Sequence, residues 1–136
     1  MPFRPSALSA GDHHPGEIDY RLARQSLISE YRKGRIDRQE VCDAHPELRR
    51  NAEACGTPTT RPCPICEGDD LVLVTYVFGT RLPASGRCMS KKGELAGFAK
   101  RSGTFAAYLV EVCPGCWWNH LVRSFPLGRG STRSTG

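Results

Sequence analysis

Apolar residues recur with a helical period in the first half of the chain. From Ile18 to Lys33, apolar side chains fall on one face of a predicted helix and polar side chains on the other. Gly34 is placed to end this helix. The apolar face carries Tyr20, Ala23, Leu27, Ile28 and Tyr31, and the polar face carries Arg21, Arg24, Gln25, Ser29 and Arg32.

Two shorter helices are predicted from their end signals. Asp37 followed by Glu40 has the spacing of a capping box, which starts a short helix that Pro46 interrupts. Pro46 suits the first position of a third helix, and Gly56 is placed to end it. Residues 17–56 therefore form a predicted helical unit, which is too small to be stable unless it packs on another surface.

The helical period of the apolar residues ends before residue 70, and after it β-branched and aromatic residues predict strands. Residues 71–78 indicate a buried strand that Gly79 ends. Residues 105–112 and 117–125 are also strand-like, and a short cysteine-containing turn separates them. The second half of the chain is therefore expected to form a small sheet.

The remaining segments have the composition of loops and linkers. Residues 1–16 and 127–136 are predicted to be a disordered arm and a disordered tail, and residues 57–62 a Pro/Thr linker. Residues 80–103 are predicted to form a long basic loop with one helical turn around residues 94–100.

Size and composition limit the class of protein. With 136 residues and 15.0 kDa, the chain cannot be a large multidomain enzyme. Its longest apolar run, residues 71–78 with Thr75 inside it, has 8 residues, whereas a membrane-spanning helix needs about 20. The first residues contain no continuous apolar segment of an export signal, so we expect a cytoplasmic protein without membrane partners.

Charge is concentrated near the C-terminus. The chain carries a formal charge of +5, and residues 81–136 hold 9 basic and 2 acidic side chains. Such a segment favours contact with phosphate backbones or acidic protein surfaces, although a solvated basic loop is the simpler interpretation. The candidate phosphate contacts are Arg81, Arg87, Lys91, Lys92, Lys100 and Arg101.

The motif Cys-Pro-X-Cys occurs twice, at residues 63–66 and 113–116, with 46 residues between the two copies. Two residues between cysteines bring both sulfurs of a pair onto one metal ion, and two such turns complete a tetrahedral site. A thioredoxin-like redox role is disfavoured because residues 117–122 are strand-like rather than helical. We therefore predict one structural zinc ion, with iron as the alternative metal, bound by Cys63, Cys66, Cys113 and Cys116.

This arrangement resembles the zinc-ribbon superfamily. In that superfamily one cysteine-containing turn, called a knuckle, precedes the first strand and a second knuckle lies between the last two strands. The resemblance implies an α+β fold, in which the helical unit packs on a three-stranded antiparallel zinc ribbon with four cysteine ligands over residues 63–126. The basic segment would then be a long loop insertion at the end remote from the metal.

Residues 34–49, both knuckles and the pair Trp117-Trp118 also resemble an uncharacterised actinobacterial family of about this length. That likeness covers roughly residues 18–126 and supplies no mechanism. Zinc ribbons occur in transcription factors, RNA polymerase subunits, ribosomal proteins and RNA-modification factors. Ribbon factors that cleave transcripts carry an acidic pair at the hairpin tip, and the basic loop of this chain disfavours that activity.

The other cysteines have simpler interpretations than a second metal site. Cys42, His45 and Cys55, with Cys88 or His120 as a fourth ligand, are candidates for such a site. We expect instead that Cys42 and Cys55 are small buried side chains and that His45 caps a helix. Cys88 is expected to be a free thiol. Its basic neighbours favour a lower pKa, but a reactive role is disfavoured because no base or second thiol is adjacent in sequence.

Trp117 and Trp118 are consecutive in a predicted strand, so they are expected to point to opposite faces. One would belong to the core, and the other would pack on the helical unit, stack on a nucleobase or anchor a protein partner. Both are candidate partner-binding residues.

The leading hypothesis is a non-enzymatic accessory factor that binds RNA, DNA or a nucleoprotein machine such as the ribosome or RNA polymerase. The alternative is a zinc-stabilised adaptor that binds a protein without nucleic-acid contact. An enzyme with a small-molecule substrate is disfavoured, because four cysteines leave no open metal position and no HExxH helix or phosphate-binding loop is present.

Overall fold

The structure, a computed structural model, describes residues 16–90 and 93–128, which contain four helices and six strands. In chain order these elements are β1 (Ile18–Asp19), α1 (Arg21–Arg32), α2 (Arg38–Val41), α3 (Pro46–Cys55), β2 (Thr57–Pro62), β3 (Asp70–Gly79), β4 (Arg87–Cys88), α4 (Glu94–Ala99), β5 (Phe105–Val112) and β6 (Asn119–Leu127).

All the strands join one antiparallel sheet in the order β1-β6-β5-β3-β2, and β4 also pairs with β3. The mixture of helices with an antiparallel sheet agrees with the predicted α+β class. The expectation of three strands is wrong, because the described residues form six. The long strands β3, β5 and β6 are the predicted ones, and three shorter strands extend the sheet at its two edges.

Residues 57–62, predicted to be a linker, form the edge strand β2 instead. Thr57 pairs with Leu73 and Pro62 pairs with Asp70, with a break in register between the two pairs. The Thr59 hydroxyl donates a hydrogen bond of 2.6 Å to the carbonyl of Leu71. Proline is tolerated here because the outer side of an edge strand needs no amide N–H, a feature that composition alone does not show.

The helix boundaries follow local capping. Asp37 and Glu40 form the predicted capping box, with the Asp37 N–H donating to Glu40 Oε1 at 2.8 Å. Pro46 occupies the first turn of α3, where His45 Nδ1 accepts the Glu47 N–H at 3.1 Å. In the parts of the chain that the structure describes, no helix has both the length and the apolar character needed to cross a membrane.

The C-terminal strand runs later than predicted. It begins at Asn119 rather than Trp117, because Trp117 adopts a left-handed backbone conformation with φ of 70° and belongs to the preceding turn. Leu127 is still in β6, so the tail predicted over residues 127–136 starts too early. Residues 129–136, together with residues 1–15 of the predicted arm, lie outside the described residues.

The predicted basic loop contains two short elements. Strand β4 pairs with β3, and α4 confirms the helical turn expected around residues 94–100. Phe98 of α4 is buried against Phe105, with ring centroids 5.1 Å apart. The described parts of this segment therefore pack on the sheet rather than projecting from it as a plain loop.

Three apolar clusters form the core of the described part of the chain. At the end of the sheet remote from the cysteines, α4 packs on buried residues of β5 and β6. Near the cysteines, Ile28 of α1 packs with Trp118 and Leu71. Ala52 of α3 covers Val74 of β3 and its neighbours. The sheet thus supplies the apolar surface that the predicted helical unit needs for packing.

Helix α1 provides a matched test of this packing. Ile28 is 3% exposed whereas Leu22 is 81% exposed on the same helix. Ile28→Ala should lower the free energy of unfolding by about 2–5 kcal/mol, because it leaves a cavity beside Trp118. Leu22→Ala should change it by less than about 0.5 kcal/mol. Urea unfolding of both variants measures the difference, and equal midpoints would contradict the packing of α1 on the cysteine end.

Candidate metal centre

Two turns of similar backbone conformation carry the paired cysteines. The first precedes β3 and the second joins β5 to β6. In the first turn the Cys63 N–H donates to the carbonyl of Asp69 at 2.9 Å, and in the second the Cys113 N–H donates to that of Trp118 at 2.8 Å. Because β3 and β5 are paired in register, the two turns meet at one end of the sheet.

The residue after the second cysteine is left-handed in both turns. Glu67 has φ of 58° and Trp117 has φ of 70°. Their N–H groups donate to the carbonyls of Cys63 and Cys113, respectively, which closes each turn. The same unusual conformation at the same position indicates that both turns present their cysteines in a similar way.

Four sulfur atoms meet where the turns converge. The Sγ atoms of Cys63, Cys66, Cys113 and Cys116 all lie within 4.8 Å of one another. The distance from Cys63 to Cys116 is 3.7 Å and that from Cys66 to Cys113 is 3.6 Å. Sulfur ligands about 2.3 Å from a tetrahedral metal ion lie about 3.8 Å apart, so the sulfur positions fit such an ion.

Backbone N–H groups point at these sulfurs from both turns. Cys63 Sγ accepts from the N–H groups of Ile65 and Cys66 at 3.4 and 3.5 Å. Cys113 Sγ accepts from those of Gly115 and Cys116 at 3.3 and 3.4 Å. N–H dipoles directed at sulfur favour its negatively charged form, which is the form that binds metals.

Burial and crowding oppose that charge as long as no cation is bound. Burial raises the pKa of the Cys63 thiol to about 11 and that of Cys116 to about 12, and it also raises the pKa of Cys113. Burial acts in the same direction on Cys66, but hydrogen bonds from the Gly68 N–H and neighbouring thiols outweigh it and lower the pKa to about 7. A cation at the centre would stabilise all four thiolates, and the protons of the thiols would leave to solvent.

The cluster can therefore hold a metal ion. Within residues 16–90 and 93–128, it is the one group of three or more His, Cys, Asp or Glu side chains placed to do so. Cys63 and Cys113 are buried, whereas Cys66 and Cys116 are half-buried. All four cysteines predicted from the spacing come together.

The structure does not assemble a second centre from the other candidate ligands. The His45 ring caps α3, and His120 Nδ1 lies 2.7 Å from the carbonyl of Leu121. Cys55 instead lies beside Cys88. Burial, and to a lesser extent the contact with the Cys55 thiol, raises the pKa of Cys88 to about 12. Its basic neighbours therefore do not lower the pKa of Cys88, and the reactive thiol that the sequence already disfavoured gains no support.

Cys42 has an unexpected neighbour. It ends α2, and its Sγ lies 3.5 Å from Cys116 Sγ. A fifth sulfur thus borders the four-cysteine cluster on the side of one ligand. No local signal in the sequence indicates this contact, because 74 positions separate the two cysteines.

A buried carboxylate connects the cysteine end to α1. Glu111 Oε2 accepts from Arg24 Nε at 2.7 Å and from Trp118 Nε1 at 2.8 Å, and the Glu111 side chain is almost fully buried. The helical period assigned Arg24 to the solvent face, and no motif singled out Glu111. A signal was available in the two-residue period of the strand. Glu111 continues the series of every second residue, Phe105, Ala107 and Leu109, that faces inward.

The two tryptophans differ in environment. Trp118 is 0% exposed, so it cannot contact a partner in this conformation and is removed from the candidate partner surface. Trp117 is half-buried, and the Arg49 guanidinium of α3 lies 5.2 Å from its ring centroid. The backbone N–H of Ala44 also donates to the Trp117 carbonyl at 3.2 Å, which ties the helices to the second turn.

Four of the six candidate phosphate contacts lie on the described surface. Arg81, Arg87, Lys100 and Arg101 are exposed, but Arg87 pairs with Glu94 at 2.8 Å and Arg101 lies over the rings of Phe98 and Phe105. Lys91 and Lys92 lie outside the described residues.

Comparison with known proteins gives related sequences without an assigned activity. Residues 13–136 match a family described as a family of unknown function, DUF5318. The uncharacterized protein Rv0049 of Mycobacterium tuberculosis is 46% identical over 111 residues, which cover 82% of this chain and 81% of that protein. The uncharacterized protein Mb0050 of Mycobacterium bovis gives the same values. No solved structure matches the chain.

A ligand variant tests the centre directly. Cys113→Ser replaces a fully buried sulfur and should abolish tight metal binding, because three thiolates remain and a buried hydroxyl is a poor substitute. Metal content per chain, measured by inductively coupled plasma mass spectrometry, should fall to background.

Cys88→Ser is the matched control, since Cys88 lies outside the cluster, and it should keep its metal. Full metal content in Cys113→Ser would contradict the site.

Proposed function

The chain belongs to the DUF5318 family, and we propose that it is a non-catalytic binding module whose fold is held by one structural zinc ion. The observation that carries this proposal is the set of four converging cysteine sulfurs with tetrahedral spacing. Four protein ligands leave no metal position open for water or substrate, which favours a structural over a catalytic ion.

The strand arrangement supports a zinc-ribbon interpretation of the cysteine end. Strands β3, β5 and β6 are antiparallel neighbours, one turn precedes β3 and the other joins β5 to β6. Zinc fits the four-thiolate set, and iron in the same geometry is the alternative. Metal analysis of the purified protein separates them, because an iron–thiolate centre is coloured and a zinc centre is colourless.

We further propose that the basic segment over residues 80–103 binds nucleic acid, either alone or in a nucleoprotein machine. Arg81 and Lys100 lie exposed on this segment. Strand β4 and α4 hold the segment against the sheet at the end remote from the metal. Fixed cations of this kind bind phosphates at a smaller entropic cost than cations on a free loop.

This role predicts a salt-dependent affinity for a fluorescein-labelled single-stranded RNA or a DNA duplex, measured by anisotropy. The double variant Arg81→Gln, Lys100→Gln should weaken binding and reduce the slope of log affinity against log salt by about one per lost contact.

The matched control is Arg32→Gln, Lys33→Gln, which removes the same charge from exposed positions at the end of α1. Binding that is independent of salt, or an equal effect of both double variants, would contradict the assignment of the segment.

A protein-binding adaptor is the second candidate, because one edge of the sheet exposes apolar side chains. Ile18 of β1 is 52% exposed and Leu22 of α1 is 81% exposed. Two large apolar side chains, four positions apart on the rim, favour contact with the apolar surface of a partner. The internal contacts of Arg87 and Arg101 also reduce the cations available for phosphates.

If the adaptor role is correct, Leu22→Glu should abolish capture of partners that survive nuclease treatment in a pull-down from cells of the source organism. Ala54→Glu, at an exposed position on α3, is the matched control and should retain them. Loss of every partner on nuclease treatment would favour the nucleic-acid role instead.

A further inference from the structure

The fifth sulfur beside the four-cysteine cluster serves no purpose in a tetrahedral metal site. Four sulfurs complete the coordination of such an ion, yet Cys42 Sγ lies 3.5 Å from Cys116 Sγ. This is shorter than the distances of 3.7 and 3.6 Å from Cys63 to Cys116 and from Cys66 to Cys113. Cys42 lies outside the group of four sulfurs that are all within 4.8 Å of one another, so it contacts Cys116 without joining the cluster.

Hydrogen bonds on both sides of Cys42 hold it at this place. The Cys42 N–H donates to the carbonyl of Arg38 at 2.8 Å, which fixes the end of α2. Asn119 Nδ2 donates to Asp43 Oδ1 at 3.0 Å, which joins the next residue to the start of β6. The contact between the two sulfurs thus belongs to a docked segment and not to a freely rotating side chain.

Exposure distinguishes this pair from the two innermost ligands, and Cys66 is the third half-buried sulfur. Cys42 and Cys116 are both half-buried, whereas Cys63 and Cys113 are buried at 1% and 0% exposure. A small oxidant such as a peroxide can reach the outer pair while the two inner ligands stay covered. Two accessible thiols in contact, one of them free of metal, are the arrangement that forms a disulfide most readily.

We propose that Cys42 and Cys116 form a peroxide-sensitive thiol pair, whose oxidation to a disulfide withdraws Cys116 from the metal. The part of the proposal that concerns metal release rests on the proposed function, whereas the pairing of the two sulfurs does not.

The chemistry balances with one peroxide per pair. Peroxide oxidises the Cys42 sulfur to a sulfenic acid, and its O–O bond breaks with release of one water. The Cys116 sulfur attacks the Cys42 sulfur, the S–S bond forms as the S–O bond breaks, and the leaving oxygen takes up protons as a second water. The two cysteine sulfurs together lose two electrons, and the peroxide takes them up. Cys116 then no longer carries the negative charge that binds the metal, and three thiolates remain.

The test uses the metal-loaded full-length protein and hydrogen peroxide. Metal release is followed with a chromophoric chelator, and disulfides are mapped by mass spectrometry of peptides prepared without reduction. We expect a peptide that joins Cys42 to Cys116, together with metal release. Cys42→Ser should retain its metal at a peroxide dose that removes most of it from the wild type.

Cys88→Ser is the control, because Cys88 is also half-buried beside another thiol, Cys55, but lies outside the cluster. It should behave like the wild type. Equal metal release from Cys42→Ser and wild type, or a disulfide in which Cys116 pairs with another cysteine, would overturn the proposal.

Peptide mapping of the wild type makes the test independent of whether the variant folds. If the purified protein carries no metal, the proposed function fails, and the disulfide map still decides the pairing. If the protein carries its metal but peroxide yields no Cys42–Cys116 peptide, the thiol pair fails while the metal site remains.

Discussion

The cysteine end of the fold depends on the convergence of four sulfur atoms from two turns that 46 residues of chain separate. The long register of β3 with β5 brings the turns together, and in both turns the residue after the second cysteine donates to the carbonyl of the first. Trp118 directly follows the second turn, and its side chain lies in the core with Ile28 and Leu71. Coordination at this point would therefore fix not only the two turns but also the docking of α1.

The parts of the fold that local chemistry determines could be predicted from the sequence. Asp37 with Glu40 and Pro46 with Gly56 mark helix ends through contacts within a few residues, and the strand over residues 105–112 follows from its β-branched and aromatic composition. Strand β2 could not be predicted, because it exists only through pairing with β3. Its proline content indicates a linker, and only the position at the sheet edge makes it a strand.

The candidate site shows the same division. Spacing alone identified the four clustered cysteines, because a turn with two intervening residues has few possible geometries. The contact of Cys42 with Cys116 and the ion pair of Arg24 with Glu111 depend on how α1 and α2 dock, which no local pattern determines. For Glu111 the alternation of β5 was a usable signal, since an acidic residue at an inward position requires a buried partner.

The outer rim of the sheet also affects how copies of this protein meet at high concentration. Along one margin, β2 presents Pro58 and Pro62, which lack the amide hydrogen that a neighbouring strand would need, and its pairing is interrupted between them. On the described opposite margin, β1 is only two residues long. Within the described residues, the prolines interrupt the hydrogen-bonding edge of β2, and β1 interrupts that of β6, which disfavours edge-to-edge pairing between crowded copies.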